Sequence, residues 1–309
     1  MPDPSTAPVL LLIFNRPDAA ARVFERVRQA RPATLYVAAD GPRESVHGEK
    51  RLCAEARRAA TNVDWPCDVK TLFREGNLGL RAAVSGALNW FFGQEEEGIV
   101  LEDDCVPSGS FFPFCTELLE RYRHTPEVMA VSGVNFQFGA HKTPYSYYFS
   151  RYNHCWGWAS WSRSWEAYDN DMTRWPQARE DGTLGKVLGD PEAARYWKEA
   201  FDKAYRNEVD SWAYRWTLST WLAGGVAVLP TVNLVTNIGF GDEATHTRGR
   251  SLLACMKTGE ITFPLRHPPG TSVDENADRR TFDTCYRRTL SVRIRNKLGH
   301  LFRCRGPNC

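Results

Sequence analysis

Gly98-Ile99-Val100-Leu101-Glu102-Asp103-Asp104 is the stretch from which the fold can be read. Ile99, Val100 and Leu101 make an apolar run too short for a helix, and three consecutive carboxylates stop it, which is the pattern of a buried strand ending at a polar edge. Upstream, Val9–Phe14 reads as a second such strand, and Pro17/Asp18 then opens a helix with Ala20, Val23, Phe24 and Val27 on one face. Leu35–Ala39 reads as a strand closed by the turn Asp40-Gly41-Pro42, followed by a helix over Glu49–Ala60. Val69–Phe73 is the next strand, Gly76-Asn77-Leu78-Gly79 a loop and Leu80–Phe92 a helix. Downstream, Ser110–His124 reads as helix and Val128–Val131 as strand. Strand–helix alternation of this kind implies an α/β fold with a mostly parallel central sheet and helices on both faces. Ligands of such sheets collect beyond the carboxyl ends of the strands, which singles out Asn15, Arg16, Asp40, Glu102, Asp103 and Asp104.

The chain has 309 residues, with 39 Lys+Arg against 37 Asp+Glu, a net charge of +2. A nucleic-acid-binding surface would be far more basic, so no nucleic-acid partner is expected. Hydrophobic residues at 42% and charged residues at 25% are those of a globular domain. The longest apolar run near the start, Val9–Phe14, falls far short of the roughly 20 residues that span a bilayer. Nine cysteines are scattered without a C-x-x-C pair, as expected of reduced thiols in a cytoplasmic protein.

Charge is unevenly spread. Arg287 to Arg305 holds seven Lys/Arg and no acid, leaving 32 basic against 37 acidic residues in 1–286, a body of charge −5. Residues 1–286 read as a single continuous domain, in two halves at 8–106 and 107–250. Residues 287–309 form a basic tail. At 100° per residue, Leu290, Ile294, Leu298, Leu301 and Phe302 fall within an arc of about 120°, so the tail suits either the anionic inner face of a membrane or the side of the domain. Nine of the 11 tryptophans lie between Trp156 and Trp221, in segments that read as helices and aromatic loops.

Three adjacent carboxylates repel one another unless a cation sits among them, and their hard oxygens suit Mn²⁺ or Mg²⁺; the bland alternative is a solvated loop. Arg16 suits a diphosphate. Asp40 can accept from a ribose hydroxyl or a base N–H. The loop ahead of Arg81 can approach phosphates at a helix start, or simply turn the chain. Neither G-x-x-x-x-G-K-[ST] nor G-x-G-x-x-G occurs, which removes the main support for P-loop and dinucleotide-binding readings.

Taken together, Asn15-Arg16, Asp40, Asn77-Leu78-Gly79-Leu80-Arg81 and Glu102-Asp103-Asp104 resemble the GT-A-fold nucleotide-sugar glycosyltransferases, the N-acetylglucosaminyltransferase I group in particular. That group's Glu-Asp-Asp is also followed by a proline and a Phe-Phe pair, here Pro107 and Phe111-Phe112. Trp156-Gly157-Trp158 and the segment Gly239-Phe240-Gly241 to His246 resemble a related bacterial group. The resemblance implies Asp104 as the direct Mn²⁺ (or Mg²⁺) ligand, Asp103 on the ribose and the metal's water shell, and Glu102 on the donor sugar. It implies a nucleotide-binding half over 8–106 and an acceptor and catalytic half over 107–250, with Arg16, Asp40 and Arg81 as nucleotide-sugar contacts, Asp40 on a uracil N3–H. Asp210-Ser211-Trp212 matches the family's Asp-Asp-Trp with serine at the second place, which assigns the catalytic base to Asp210. A helix N-cap ahead of Trp212 is the alternative for Asp210.

His246 suits the far side of the metal or the diphosphate, against a structural role. Trp156 and Trp158 are chosen to stack on sugar faces, the glycine between them allowing close backbone approach, although large aromatics are mostly core. The expected activity is metal-dependent, inverting transfer from a UDP-sugar, UDP-GlcNAc among the candidates, to a glycan or lipid-linked acceptor in polysaccharide biosynthesis. Two rivals are a non-catalytic carbohydrate-binding protein and a sugar nucleotidyltransferase. The second normally carries a Gly-rich basic loop after strand one, where this chain has Phe14-Asn15-Arg16-Pro17-Asp18.

Overall fold

Strand β1 (Val9–Ile13) is buried along its whole length, because its two faces enter two different cores. Val9, Leu11 and Ile13 pack with one hydrophobic cluster, and Leu10 and Leu12 with another on the opposite face of the sheet. A strand covered on both sides can be apolar at every position, which explains the unbroken Val-Leu-Leu-Leu-Ile run. The computed structural model describes residues 6–239, 253 and 256–287. Residues 288–309 of the basic tail, and His246, lie outside these residues.

Parallel neighbours of β1 are β2 (Thr34–Ala39) and β4 (Glu97–Glu102), and β3 (Asp68–Phe73) continues beyond β2. The crossovers are α1 (Pro17–Ala30), α2 (Glu49–Thr61) and α3 (Leu80–Phe92). Proline at the first turn of α1 suits a position whose N–H has no helical partner, and Ala20, Val23, Phe24 and Val27 form its buried stripe, as their spacing predicts. After β4 come β5 (Cys105–Pro107), α4 (Phe111–Tyr122), β6 (Val128–Ser132), β7 (Tyr147–Ser150) and β8 (Trp158–Trp161). Five helices then follow: α5 (Ser162–Trp165), α6 (Trp175–Glu180), α7 (Thr183–Leu188), α8 (Pro191–Tyr205) and α9 (Trp212–Leu222). Strands β9 (Val226–Pro230) and β10 (Val235–Asn237), helix α10 (Glu275–Thr281) and a π-helical turn at Phe282–Tyr286 complete the described elements.

The main sheet has eight strands in the order β3-β2-β1-β4-β8-β6-β9-β7. Strands β8 and β7 run against the other six, so the expected mostly parallel sheet is observed, with one antiparallel strand inserted between β4 and β6. A separate two-stranded ribbon pairs β10 with β5, immediately after the acidic run. Leu12 pairs with Glu102, Ile13 with Ala39, and Ala39 with Phe73. This register lines up the carboxyl ends of four strands on one edge. The chain leaves β1 toward β2 on one side while β4 lies on the other, so the crevice between β1 and β4 is the topological switch point.

The second half contributes strands β7 to β10 as well as the expected helices. Its tryptophans are chiefly scaffold: eight of the nine between 156 and 221 are buried, Trp156 being the half-buried one. Trp158 corrects the expectation of a sugar-stacking ring. It is 1% exposed, with its ring 5.8 Å from Trp212 and 5.9 Å from Trp216, so neither ring face is open. Gly157, at φ +63°, serves packing, since a Cβ there would lie 2.7 Å from Val235 Cγ2. Trp158→Ala is expected to destabilise the fold by about 3–5 kcal/mol, through lost burial and the cavity left between β8 and α9. Urea denaturation followed by tryptophan fluorescence would measure it.

Candidate active site

A cavity of about 830 Å³ opens at the carboxyl edge of β1, β2 and β4, and its walls include Arg16, Asp40, Glu102, Asp103, Asp104 and Asp210. With Asn15, seven of the residues singled out in the sequence therefore share one cleft. Trp156, Trp158 and Arg81 do not line it. Trp156 instead packs edge-on against Phe136, with ring centroids 5.4 Å apart.

The acidic run sits where β4 ends beside β1. Asp103 Oδ2 accepts the backbone N–H of Phe14 at 3.1 Å, tying the end of β4 to the end of β1. Asp104 Oδ2 accepts from Arg16 Nη1 at 2.9 Å, and the same nitrogen lies 3.5 Å from Asp103 Oδ1. On the other side, Asn237 Nδ2 donates to Asp104 Oδ1 at 3.3 Å, and the Cys105 thiol does so at 3.4 Å. The chain after β10 closes over the carboxylate, with the Ile238 N–H on the Asp104 carbonyl at 2.8 Å. A Cβ on Gly239 would lie 2.1 Å from Asp104 Oδ2, so only glycine fits there.

Burial dominates the electrostatics. It pushes the Glu102 carboxyl up to about 8, aided by Asp104 and Asp103 and opposed by Arg16. Burial likewise pushes Asp103 up to about 7, because the pull of Arg16 and the Phe14 N–H does not offset it. Burial alone would lower the Arg16 guanidinium, but Asp103, Asp104 and Glu102 together leave it raised. The Cys105 thiol is driven well up by burial and then by the acids, so it stays S–H, a donor to Asp104 and no thiolate ligand.

The donor set fits a hard divalent cation in chemistry and charge. Three carboxylates face one guanidinium, which already stands in for a cation between Asp103 and Asp104. Among the described residues no group of three Asp, Glu, His or Cys converges to hold an ion alone, so a metal would take Asp104 and complete its shell from ligand oxygens and water.

Asp40 lies in the cavity wall but is heavily engaged. Its Oδ1 accepts the N–H groups of Gly41 and Leu78, both at 2.9 Å, and its Oδ2 accepts from Asn77 Nδ2 at 2.9 Å and the Gly79 N–H at 3.1 Å. A carboxylate with four donors on it has its lone pairs occupied, so in this conformation Asp40 anchors the 76–79 loop and is not open to a base N–H. Close crossing of the two loops makes this possible: a Cβ on Gly41 would lie 2.4 Å from the Gly76 carbonyl carbon.

Asp210 does not cap α9. Ser211 occupies the cap position, with no side-chain bond to the helix start. The Asp210 carboxylate lies across the start of α3, with Oδ2 3.5 Å from the Arg81 N–H and Oδ1 3.6 Å from Arg81 Nε. It is half-exposed and lines the cleft, while Arg81 serves as its ion-pair partner at the rim.

Sequence reading missed Glu49, Arg43 and Arg74. Glu49 is fully buried at the start of α2, and its Oε1 accepts from Asn15 Nδ2 at 2.8 Å. It also accepts the Arg43 backbone N–H at 2.7 Å and binds the Arg43 guanidinium, which holds Glu49 below the usual carboxylate range. Arg43 and Asn15 line the cleft as a result. No linear motif marks Glu49, whose partners lie six and 34 residues away.

No protein-family model and no curated protein matches the chain. Among solved structures it is similar to HddC from Yersinia pseudotuberculosis, with 9% identity over 51% of this chain and 77% of that one, at a TM-score of 0.30. It is also similar to UDP-glucose pyrophosphorylase complexed with UDP-glucose, with 11% identity over 47% and 62%, at 0.28. A third is mouse xyloside xylosyltransferase 1 in its apo form, with 12% identity over 70% and 81%, at 0.30. At these TM-scores the likenesses say nothing of what the cleft does, which rests on its own residues.

Raised carboxyls carry a pH signature. Between their ordinary range and about 7 to 8, the folded chain binds more protons at Glu102 and Asp103 than the unfolded chain does. Stability then falls as pH rises through that window. In EDTA, the melting temperature is expected to drop between pH 5.5 and 8.5, and Glu102→Gln to flatten the drop, as read by circular dichroism.

Proposed function

We propose that this chain is a divalent-cation-dependent, inverting glycosyltransferase that uses a UDP-sugar, UDP-GlcNAc among the candidates, to extend a glycan or lipid-linked acceptor. One observation carries the reading: Arg16, Glu102, Asp103, Asp104 and Asp210 meet in a single cleft at the switch point of a parallel sheet. The motif resemblance to the GT-A glycosyltransferases supports it.

The chemistry follows from the placements. An acceptor hydroxyl is a weak nucleophile at neutral pH, and Asp210 at the cleft wall is the carboxylate that takes its proton as the hydroxyl oxygen attacks the donor's anomeric carbon. One C–O bond forms as the bond to the diphosphate breaks, so the anomeric centre inverts and the electron pair leaves with UDP. Arg81 keeps Asp210 at the α3 end of the cleft. Asp104 would hold the divalent cation, which when bound would neutralise charge on the leaving diphosphate. Arg16, beside Asp104, is placed to share that work. Glu102 and Asp103 form the floor on which ribose and donor sugar hydroxyls are held.

A thermal-shift panel of UDP-, GDP- and dTDP-sugars with and without Mn²⁺ tests the donor. A shift with UDP-sugars that requires Mn²⁺ is the expected result. Asp104→Asn should weaken Mn²⁺-dependent UDP binding at least about tenfold in calorimetry. Asp210→Asn should lower kcat by about 10²–10⁴ with UDP affinity near wild type. Glycan binding indifferent to Mn²⁺, with no donor turnover, would sink the proposal in favour of a carbohydrate-binding protein.

A further inference from the structure

Asp104 is engaged at each of its oxygens. Asn237 and Cys105 donate to Oδ1, the Ile238 N–H donates to the backbone carbonyl, and Gly239 lies close enough that a Cβ there would reach 2.1 Å from Oδ2. Oδ2 itself accepts from the Arg16 guanidinium, at 2.9 Å. The partners differ in freedom. The Asp104 side chain is 16% exposed and its backbone is pinned between two sheets, whereas the Arg16 side chain is 28% exposed and extends from the turn ahead of α1. Asp103 cannot substitute readily, since its Oδ2 is bonded to the Phe14 N–H.

From this we propose that Arg16 is the resident cation of the acidic cleft and competes with a divalent ion for Asp104, so that the guanidinium must swing away before a metal can bind. The proposal rests on the divalent-cation reading above and adds to it a mechanism of coupling. A guanidinium released from Asp104 is free to form paired hydrogen bonds with phosphate oxygens. A nucleoside diphosphate therefore stabilises the arrangement in which Asp104 is open, and by linkage raises affinity for the metal. Without a diphosphate, Arg16 returns to Asp104 and metal binding is weak. An arginine in this place keeps a desolvated carboxylate neutralised between turnovers.

The test measures Mn²⁺ alone, with no nucleotide, by the electron paramagnetic resonance signal of the free ion. The full chain is compared with Arg16→Met, which keeps length and removes charge. Arg16→Met is expected to bind Mn²⁺ about tenfold more tightly, and UDP is expected to improve that affinity by a smaller factor than in wild type. Asp104→Asn in the Arg16→Met background should abolish the gain. Equal or weaker Mn²⁺ binding by a folded Arg16→Met, while wild type binds with UDP, overturns the competition and leaves the metal reading standing. If neither protein binds Mn²⁺ with or without UDP, both fall. A gain that survives Asp104→Asn places the ion elsewhere and also overturns the proposal. Circular dichroism reports folding. Should Arg16→Met fail to fold, Arg16→Lys replaces it, since a point charge on a shorter reach cannot hold both acids, and a gain of about threefold is expected.

Discussion

The parallel pairing of β1 with β4 is the constraint on which the cleft depends. It sets Leu12 against Glu102, so that the chain leaving β1 and the chain leaving β4 emerge side by side and then diverge. Side chains bridge the crevice between them. Arg16 enters from one side, and Asp103 and Asp104 from the other. One guanidinium among three largely desolvated carboxylates is an incomplete neutralisation, and two of the carboxyls respond by holding their protons more tightly than usual.

The rest of the structure holds that arrangement in place. The β5–β10 ribbon brings Asn237 and Gly239 against Asp104, and Glu49 orients Asn15 and Arg43 on the far wall. Arg57 donates to the carbonyls of Asp40 and Arg74, holding together the exits of β2 and β3. Trp158, Trp165, Trp212 and Trp216 pack with the residues of α3 in one cluster, behind the cleft rim where Asp210 and Arg81 pair. Their aromatic mass invites a binding role, yet none lines the cleft and most are too deeply buried to meet a ligand.

Legibility followed the range of the interactions. Strands β1 to β4 and helices α1 to α4 were readable because each has a local signature: an apolar run, a proline at a helix start, a stripe at helical spacing. Strands β5 and β10 have three residues each and exist only because they pair with each other across more than a hundred positions, for which no local pattern exists. Strand β8 reads as an aromatic loop in isolation, and its insertion between β4 and β6 makes Trp158 a core residue. Asp40 was correctly located at a strand end, but the four donors that surround it come largely from a loop 37 to 39 residues away.

By itself the sequence determined the alternation of strands and helices, the polar strand ends at Arg16, Asp40 and Glu102–Asp104, and the separation of an acidic body from a basic tail. All of these follow from residue type and short-range periodicity. Only the tertiary structure decided which of the polar residues meet. It put Arg16 on Asp104, moved Asp210 from the start of α9 to the start of α3, turned Asp40 to its own loop and sent Trp158 into the core. The physical reason is that a side chain's role here depends on where its charge and hydrogen-bonding capacity are already engaged, and that depends on partners brought together by sheet register.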